Sequence, residues 1–394
     1  VTLNRLSRRE SLGMIEHVFG TRRVDRHLED LILQKAEGIP FFIEEFIKSL
    51  REMNFIEKLN GTYKLTSDPK AITIPSTIQD VIMARVDHLP EGAREVLRTG
   101  SVIEREFSHE LIQKVTGLPE KELLSHLSTL RDSELLYERG IYPGSTYIFK
   151  HALTREVAYD SILTKKKKEL HAKVARTIED TYKEDICYHY GVLANHCMAC
   201  EDYEKGAEYA RLEAKRYEKV ASYKDAIEYT KKRVACLERL PQTETNQRII
   251  IDARVTLANY NLSLSHFVGA KDAIEPIVGL AIRMNYRKRL PGIYNALGMY
   301  SFNNDEDISN GLLYLNKAIN ISEEVGDYLS LYFAALSSGW CLSCNCEFEK
   351  SLTALQRGLD ICEMVQNPRG IVFAKNFINQ NYASHGNFSQ AFKL

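Results

Sequence analysis

The sequence predicts a mainly all-α protein: a helical subdomain, a second helical unit with a small β-hairpin and wing nearby, and then an α-solenoid of stacked helix pairs. Three observations carry this expectation. Apolar residues recur at helical spacing over most of the chain. Extended runs occur only in two short places, each broken by Asn-Gly or by Gly and Pro. A 40-residue period runs through the second half.

In the first stretch, Arg8–Phe19 and residues 24–37 place apolar residues at helical spacing, and residues 41–53 follow a Gly-Ile-Pro turn. Residues 55–59 and 62–66 flank Asn60-Gly61, which supplies the two positive-φ positions of a tight hairpin turn. A new unit opens at Pro75, where Ser76 or Thr77 can cap a helix bearing Ile78, Val81, Ile82, Val86 and Leu89. Helical patterns follow over Glu91–Ile103, His109–Thr116 and Glu120–Asp132, then two extended runs, 134–139 and 146–150, around Gly140, Pro143 and Gly144. Helices followed by such a ribbon spell a winged helix. Residues 151–163 resume helical spacing.

Beyond residue 164 the pattern is helix after helix. Ile308, Phe348 and Phe388 recur where second helices of pairs begin; Ile293, Phe333 and Phe373 recur inside first helices; Ala281, Ile321 and Ile361 recur near helix ends. Tyr223 with Ala226, and Phe348 with Ser351, put an aromatic in the turn and a small residue three later, where antiparallel helices approach closely. This is the tetratricopeptide (TPR) pattern with a lengthened repeat. Such pairs bury their apolar stripes only by stacking, and they present a concave wall that binds partners. The expected domains are therefore 1–74, 75–163 and 164–394.

Composition narrows the function. The 394 residues carry 52 Lys plus Arg against 53 Asp plus Glu, a net charge of -1, which argues against a globally basic nucleic-acid binder. No run of about 18 apolar residues marks a membrane span. Eight Cys in so long a chain, without a charged-then-apolar leader, fit a reducing, cytoplasmic setting. The chain opens at Val1 and stops at Leu394 in a fresh helical pattern, so the expectation is the middle of a longer protein.

No GxxxxGK[ST] phosphate loop, GxGxxG turn, GxSxG elbow or HExxH helix occurs, so no catalytic residue is assigned and no enzyme is expected in this segment. His196, Cys197 and Cys200, and the Cys341, Cys344 and Cys346 group, offer metal-ligand spacings, but they lie several helix pairs apart and read as interface thiols; no metal is expected. Lys165 to Lys168 form a basic run, read as a solvated hinge. Glu120–Asp132, at the recognition-helix position of a winged helix, is not basic, so direct DNA binding is not expected. Two places carry more. Gly38-Ile39-Pro40 joins a residue free to take positive φ to a rigid ring without an N–H, a corner that serves either as a plain helix turn or as an apolar seat for a flat base. His151 follows a strand pattern and opens a helix, where it is either structural or an anion contact.

Five ordered stretches, residues 36–45 (AEGIPFFIEE), 74–89 (IPSTIQDVIMARVDHL), 101–107 (SVIEREF), 147–159 (YIFKHALTREVAY) and Leu170-His171, resemble the AAA-type STAND ATPases fused to tetratricopeptide repeats. Such modules sit behind class III adenylate or guanylate cyclase domains, and related ones behind kinase or LuxR-type DNA-binding domains. The resemblance implies a nucleotide, ATP or ADP, held between an upstream ATPase core and this chain. Gly38 and Pro40 would belong to a GxP motif whose proline packs near adenine. His151 would match the winged-helix histidine that meets the β-phosphate of ADP in the related NB-ARC switches. Ala152 stands where that motif has Asp, Ile39 where cyclase-linked relatives have Asn, and Glu104 where they have Gly. The implied role is a regulatory sensor with a protein or small effector on the repeats, the upstream core as partner, and oligomerisation on activation. An ATP-dependent LuxR-type regulator and a plain repeat scaffold with a vestigial ATPase are the alternatives.

Overall fold

A computed structural model describes residues 5–66 and 77–391. Val1, Pro75, Ser76 and the closing residues through Leu394, on which some of the expectations above fall, lie outside them. The chain forms two compact units, divided between Lys183 and Glu184.

The first unit begins with three helices. α1 (Arg8–Phe19) opens on a capping box, Ser7 accepting from the Glu10 amide while the Glu10 carboxylate accepts from Ser7 N. α2 (Arg26–Ala36) is capped by Asp25, and α3 (Pro40–Glu52) begins with proline at N1, where no amide hydrogen is needed. Their apolar faces, including Ile15, Leu28, Ile32, Ile43, Phe46 and Leu50, close a shared core. β1 (Ile56–Leu59) and β2 (Thr62–Leu65) form the hairpin around Asn60 and Gly61, at φ 49° and 80°. The hairpin is tied to the chain before α2 by Tyr63 N donating to Arg23 O and Asp25 N to Tyr63 O.

α4 (Ile78–Asp87) starts at a Thr77/Asp80 capping box and sends Val81 into that same core. The boundary expected at residue 74 thus falls in sequence just before a helix that shares the core on its other side. Next come α5 (Glu91–Ile103), β3 (Glu106–Ser108), α6 (His109–Thr116), α7 (Glu120–Asp132), β4 (Leu136–Arg139) and β5 (Thr146–Phe149). The three strands form an antiparallel sheet in the order β3-β5-β4, with Phe107 opposite Tyr147 and Leu136 opposite Phe149. α8 (Ala152–Asp160) and α9 (Thr164–Thr181) complete the unit. α9 packs on α5 and α6, so the helix expected to open the repeats belongs to the first unit. The basic run Lys165 to Lys168 is a correction: it lies inside α9 and is no hinge, because lysine is a good helix former and Leu170, Val174 and Ile178 anchor the helix one turn on.

The second unit is an α-solenoid of tetratricopeptide-like pairs: α10 (Tyr190–Ala199), α11 (Tyr203–Lys219), α12 (Tyr223–Arg239), α13 (Glu244–Ser263), α14 (Phe267–Ile274), α15 (Val278–Arg283), α16 (Leu290–Asn303), α17 (Ile308–Val325), α18 (Tyr328–Cys344), α19 (Phe348–Met364), α20 (Pro368–Ser384) and α21 (Phe388–Ala391). Ile308, Phe348 and Phe388 are the first residues of α17, α19 and α21. The expected small residues sit at helix crossings: Ala226 is fully buried, and buried Ser351 donates its hydroxyl to Gly339 O across the α18/α19 pair at 2.7 Å. First helices also touch one another, α13 with α16, α16 with α18 and α18 with α20, which makes them one continuous layer. Among the described residues no helix is long and apolar enough to cross a membrane.

Candidate functional site

The Gly-Ile-Pro corner is built by backbone demand. Glu37 closes α2 in the left-handed region at φ 47°, and Gly38 follows at φ 76°. Leu6 N donates to Gly38 O at 2.8 Å, and a Cβ on Gly38 would run into the Leu6 carbonyl oxygen. Only glycine meets both conditions. Ile39 N returns to Ala36 O at 2.9 Å, and Pro40 then starts α3 with its ring exposed.

The next residue, Phe41, joins this corner to His151. Its ring lies 3.8 Å from the imidazole, centroid to centroid, tilted by 39°. His151 is the N-cap residue of α8, but its side chain does not cap; its Nε2 is shielded from solvent and has no hydrogen-bond partner among the described residues. Burial pushes the imidazole below its ordinary pKa, against the pull of Glu45 and Glu44 and with help from Lys150 and Lys48. The ring is therefore neutral near pH 7, with an unfilled polar position.

Around this stack α3 is fastened by charge. Lys48 Nζ donates to Glu44 Oε1 and Glu134 Oε2 at 2.5 Å each, and Lys150 Nζ donates to the same two oxygens at 3.1 and 2.7 Å. The two lysines hold Glu134 down to about 2. Burial pushes Glu44 up, but the same lysines outweigh it and leave the carboxyl below its usual range. One turn deeper, Arg85 of α4 pairs with Glu45, chelates Glu52 through Nε and Nη2 at 3.0 Å each, and donates to Ser133 O at 2.6 Å. The Arg85 and Glu45 side chains are each only 2% exposed.

A cleft of about 260 Å³ is lined by Arg85 itself with Glu52, His88, Pro90, Thr129 and Ser133 among others. Its one guanidinium is already spent on Glu45 and Glu52, so the cleft offers little free chemistry. The Phe41–His151 stack does. Among the described residues no three His, Cys, Asp or Glu side chains gather closely enough to hold a metal ion. Cys197 and Cys341 are buried in the solenoid, whereas Cys344 and Cys346 are exposed.

Sequence reasoning singled out Gly38, Pro40 and His151; the structure stacks the His151 ring on Phe41, the residue that follows Pro40. It missed Phe41 itself, Lys48, Lys150 and Glu134. The i,i+4 spacing of Glu44 and Lys48 is visible in the sequence; their meeting with Glu134 and Lys150 is not, because it joins residues far apart in the chain.

A family model described as a domain of unknown function (DUF8739) matches residues 7–64, the three-helix and hairpin part of the first unit. No curated protein matches the chain. Similar solved structures include the signal transduction ATPase with numerous domains (STAND) protein with a tetratricopeptide repeat sensor from Pyrococcus horikoshii, at 12% identity and a TM-score of 0.36, covering 99% of this chain and 59% of that one. They also include BtubC from P. vanneervenii, at 11% identity and a TM-score of 0.37, covering 59% of this chain and 87% of that one. A third is aspartyl phosphate phosphatase F from Bacillus subtilis, at 11% and 0.38, covering 99% and 93%. The chain thus spans 59% of the length of the STAND protein. Likenesses this distant carry no argument about residues or activity, and the architecture rests on the packing described above.

Proposed function

We propose that this chain is the regulatory and sensor part of a STAND-type signalling ATPase, of the kind found behind class III nucleotide cyclase domains. The first unit would contribute one wall of an ADP/ATP site, as helical and winged-helix subdomains, and the solenoid would read a protein effector. The observation that carries this reading is the Phe41–His151 stack, which sets an unpartnered imidazole nitrogen beside the Gly38-Ile39-Pro40 corner.

The residues fit a nucleotide. Pro40 supplies an exposed apolar ring for a purine face, and His151 supplies a shielded Nε2 for a phosphate oxygen. When bound, the nucleotide supplies the difference between ADP and ATP on which a two-state switch runs. The chain's own part is to orient: Phe41 fixes the plane of the imidazole, and the lysine–glutamate cluster pins α3 to β5 and the turn before β4. A ligand shifts such an element only by its differential affinity for the two states.

Isothermal titration of the full-length protein, ATPase core included, tests the reading. His151→Ala should weaken ADP binding about tenfold, the value of one charge-assisted hydrogen bond, and raise basal output. Unchanged ADP affinity and output would overturn it.

A further inference from the structure

Three helices end around the cleft beside Arg85. α3 stops at Glu52, α4 is closed by His88 and α7 by Ser133, and these three residues line the 260 Å³ space with Arg85. A helix C-terminus carries about half a negative charge, on carbonyl oxygens that lack partners within the helix. Buried Leu89 and Leu135, with Pro90, make the other side of the cleft apolar.

With the guanidinium committed to Glu45, to both oxygens of Glu52 and to Ser133 O, the polar groups left around the cleft are acceptors. Lys48 and Lys150 balance Glu44 and Glu134, whereas Arg85 faces two carboxylates, so one negative charge is left over. Glu45 Oε1, shielded from solvent, has no hydrogen-bond partner among the described residues; Lys48 Nζ lies 3.6 Å away. Thr129 donates its hydroxyl proton to Ser125 O at 3.0 Å, which leaves its oxygen to accept. His88 Nδ1 lies 2.8 Å from Ala84 O and so carries the proton of the neutral ring, which makes Nε2 an acceptor as well.

We propose that this cleft binds an alkylammonium group, the chemistry shared by free aliphatic amines and the lysine side chain of a partner protein. The ammonium answers the surplus carboxylate charge and the three helix ends as a compact cation with three donors. Its methylenes lie on Leu89, Pro90 and Leu135. The cleft is smaller than the roughly 300–1,000 Å³ of pockets for drug-sized ligands, which suits a chain of a few carbons. A metal ion matches less well, because much of the lining is hydrocarbon and no three His, Cys, Asp or Glu gather among the described residues. The proposal does not depend on a nucleotide at His151.

NMR of the full chain with methyl-labelled leucine tests it. Butylammonium should shift the Leu89 and Leu135 methyl resonances saturably, while butanol and butyrate should not. Glu52→Gln should weaken butylammonium binding about tenfold, the value of one charge-assisted hydrogen bond, and Glu57→Gln, exposed on the hairpin, should leave it unchanged. Titrations with 1,4-diaminobutane and with Nα-acetyl-lysine methylamide separate the sources: whichever binds tighter names the carrier, and binding of either upholds the proposal. Equal binding of butanol would mean hydrocarbon contact alone, preference for butyrate a guanidinium still open to anions, and an absence of shifts a cleft that holds only water. Each of these overturns the proposal, as does an unaffected Glu52→Gln. Should Glu52→Gln melt below the wild type, Thr129→Phe, which fills the cleft without changing a charge, takes its place. Butylammonium shifts should then vanish, and their persistence overturns the proposal.

Discussion

The two units differ in what their best-buried ion pairs join. In the first, beside helix-local pairs such as Arg98–Glu95 and Lys114–Glu110, the lysines and arginine around α3 join residues remote in sequence: Lys48 to Glu134, Lys150 to Glu44, Arg85 to Glu45 and Glu52. In the solenoid many pairs stay within one helix at i,i+3 or i,i+4, such as Arg211–Glu208, Arg216–Glu213, Arg248–Glu244 and Lys350–Glu347. Others reach a neighbouring part of the stack, as Arg254–Glu238 and Arg357–Glu323 do. The difference teaches where cooperativity resides. The first unit depends on a few contacts that close long loops, whereas the solenoid is a sum of neighbour terms.

The sharpest way to break this comparison is Arg85→Ala. The change leaves the Glu45 carboxylate buried with Lys48 as its nearest remaining cation, 3.6 Å away. Removing one partner of a buried pair costs about 3–5 kcal/mol. Hydrogen exchange should quicken together in α3, α4 and the end of α7, since all three meet at this arginine. Faster exchange confined to α4 would show that the network is not collective.

Acid probes the same unit through His171 of α9. Burial, with Arg155 and Lys167 nearby, lowers this imidazole to about 4, and its Nε2 lies 3.0 Å from the Tyr159 hydroxyl. A histidine depressed in the fold contributes stability that is full above about 6.5 and is lost as pH falls through about 4. The loss over that window should approach about 3 kcal/mol relative to His171→Phe, whose fold has no such titration. Parallel stability curves for the two proteins would show the imidazole to be solvated.

The solenoid should fail locally instead. A methyl group at Gly339 would lie 2.6 Å from Leu355 side-chain carbons and 3.2 Å from Ser351 O, where α18 and α19 cross. Overpacking of this kind costs about 1–3 kcal/mol. For Gly339→Ala, exchange should rise in α17 to α20 and remain at wild-type rates in α11 and α12. Uniform loosening from α11 to α20 would mean that the repeats melt as one body.

Local chemistry was legible in the sequence and remote pairing was not. Asn60-Gly61 specifies its hairpin, and the boundaries of α5, α6 and α7 follow from apolar spacing together with Pro90 before α5 and Gly117 and Pro119 between α6 and α7. β3 escaped because three residues carry no periodicity; its pairing with β5 is settled by Phe107 meeting Tyr147. The 40-residue period located α16 to α21 but not their environments. Ile293 is fully buried, while Phe333 and Phe373 at the same register are 48% and 61% exposed. Burial depends on what packs alongside, and an internal period does not encode it. At the candidate site, Gly38 and Pro40 were legible because backbone geometry demands those residue types. Phe41 was not, since an aromatic at the second position of a helix looks the same whether or not a histidine lies over it.

The smallest expected effect sharpens the comparison most finely. Glu134 accepts from two lysines and is held at about 2, yet its side chain is 52% exposed. Its charge is therefore screened, and Glu134→Gln should cost less than about 1 kcal/mol despite so large a shift. Lys48 and Lys150 keep Glu44, which is 27% exposed, as their shared anion. The carboxyl carbon of Glu134, followed by NMR, should titrate near 2. The stability it confers is present above the ordinary carboxylate range and disappears as pH falls through that midpoint. A cost of several kcal/mol for Glu134→Gln would place the lysine cluster beside Arg85 and Glu45 as part of one buried network. A small cost leaves Arg85 as the electrostatic keystone of α3, with the lysines serving to hold Glu44 and His151 in register.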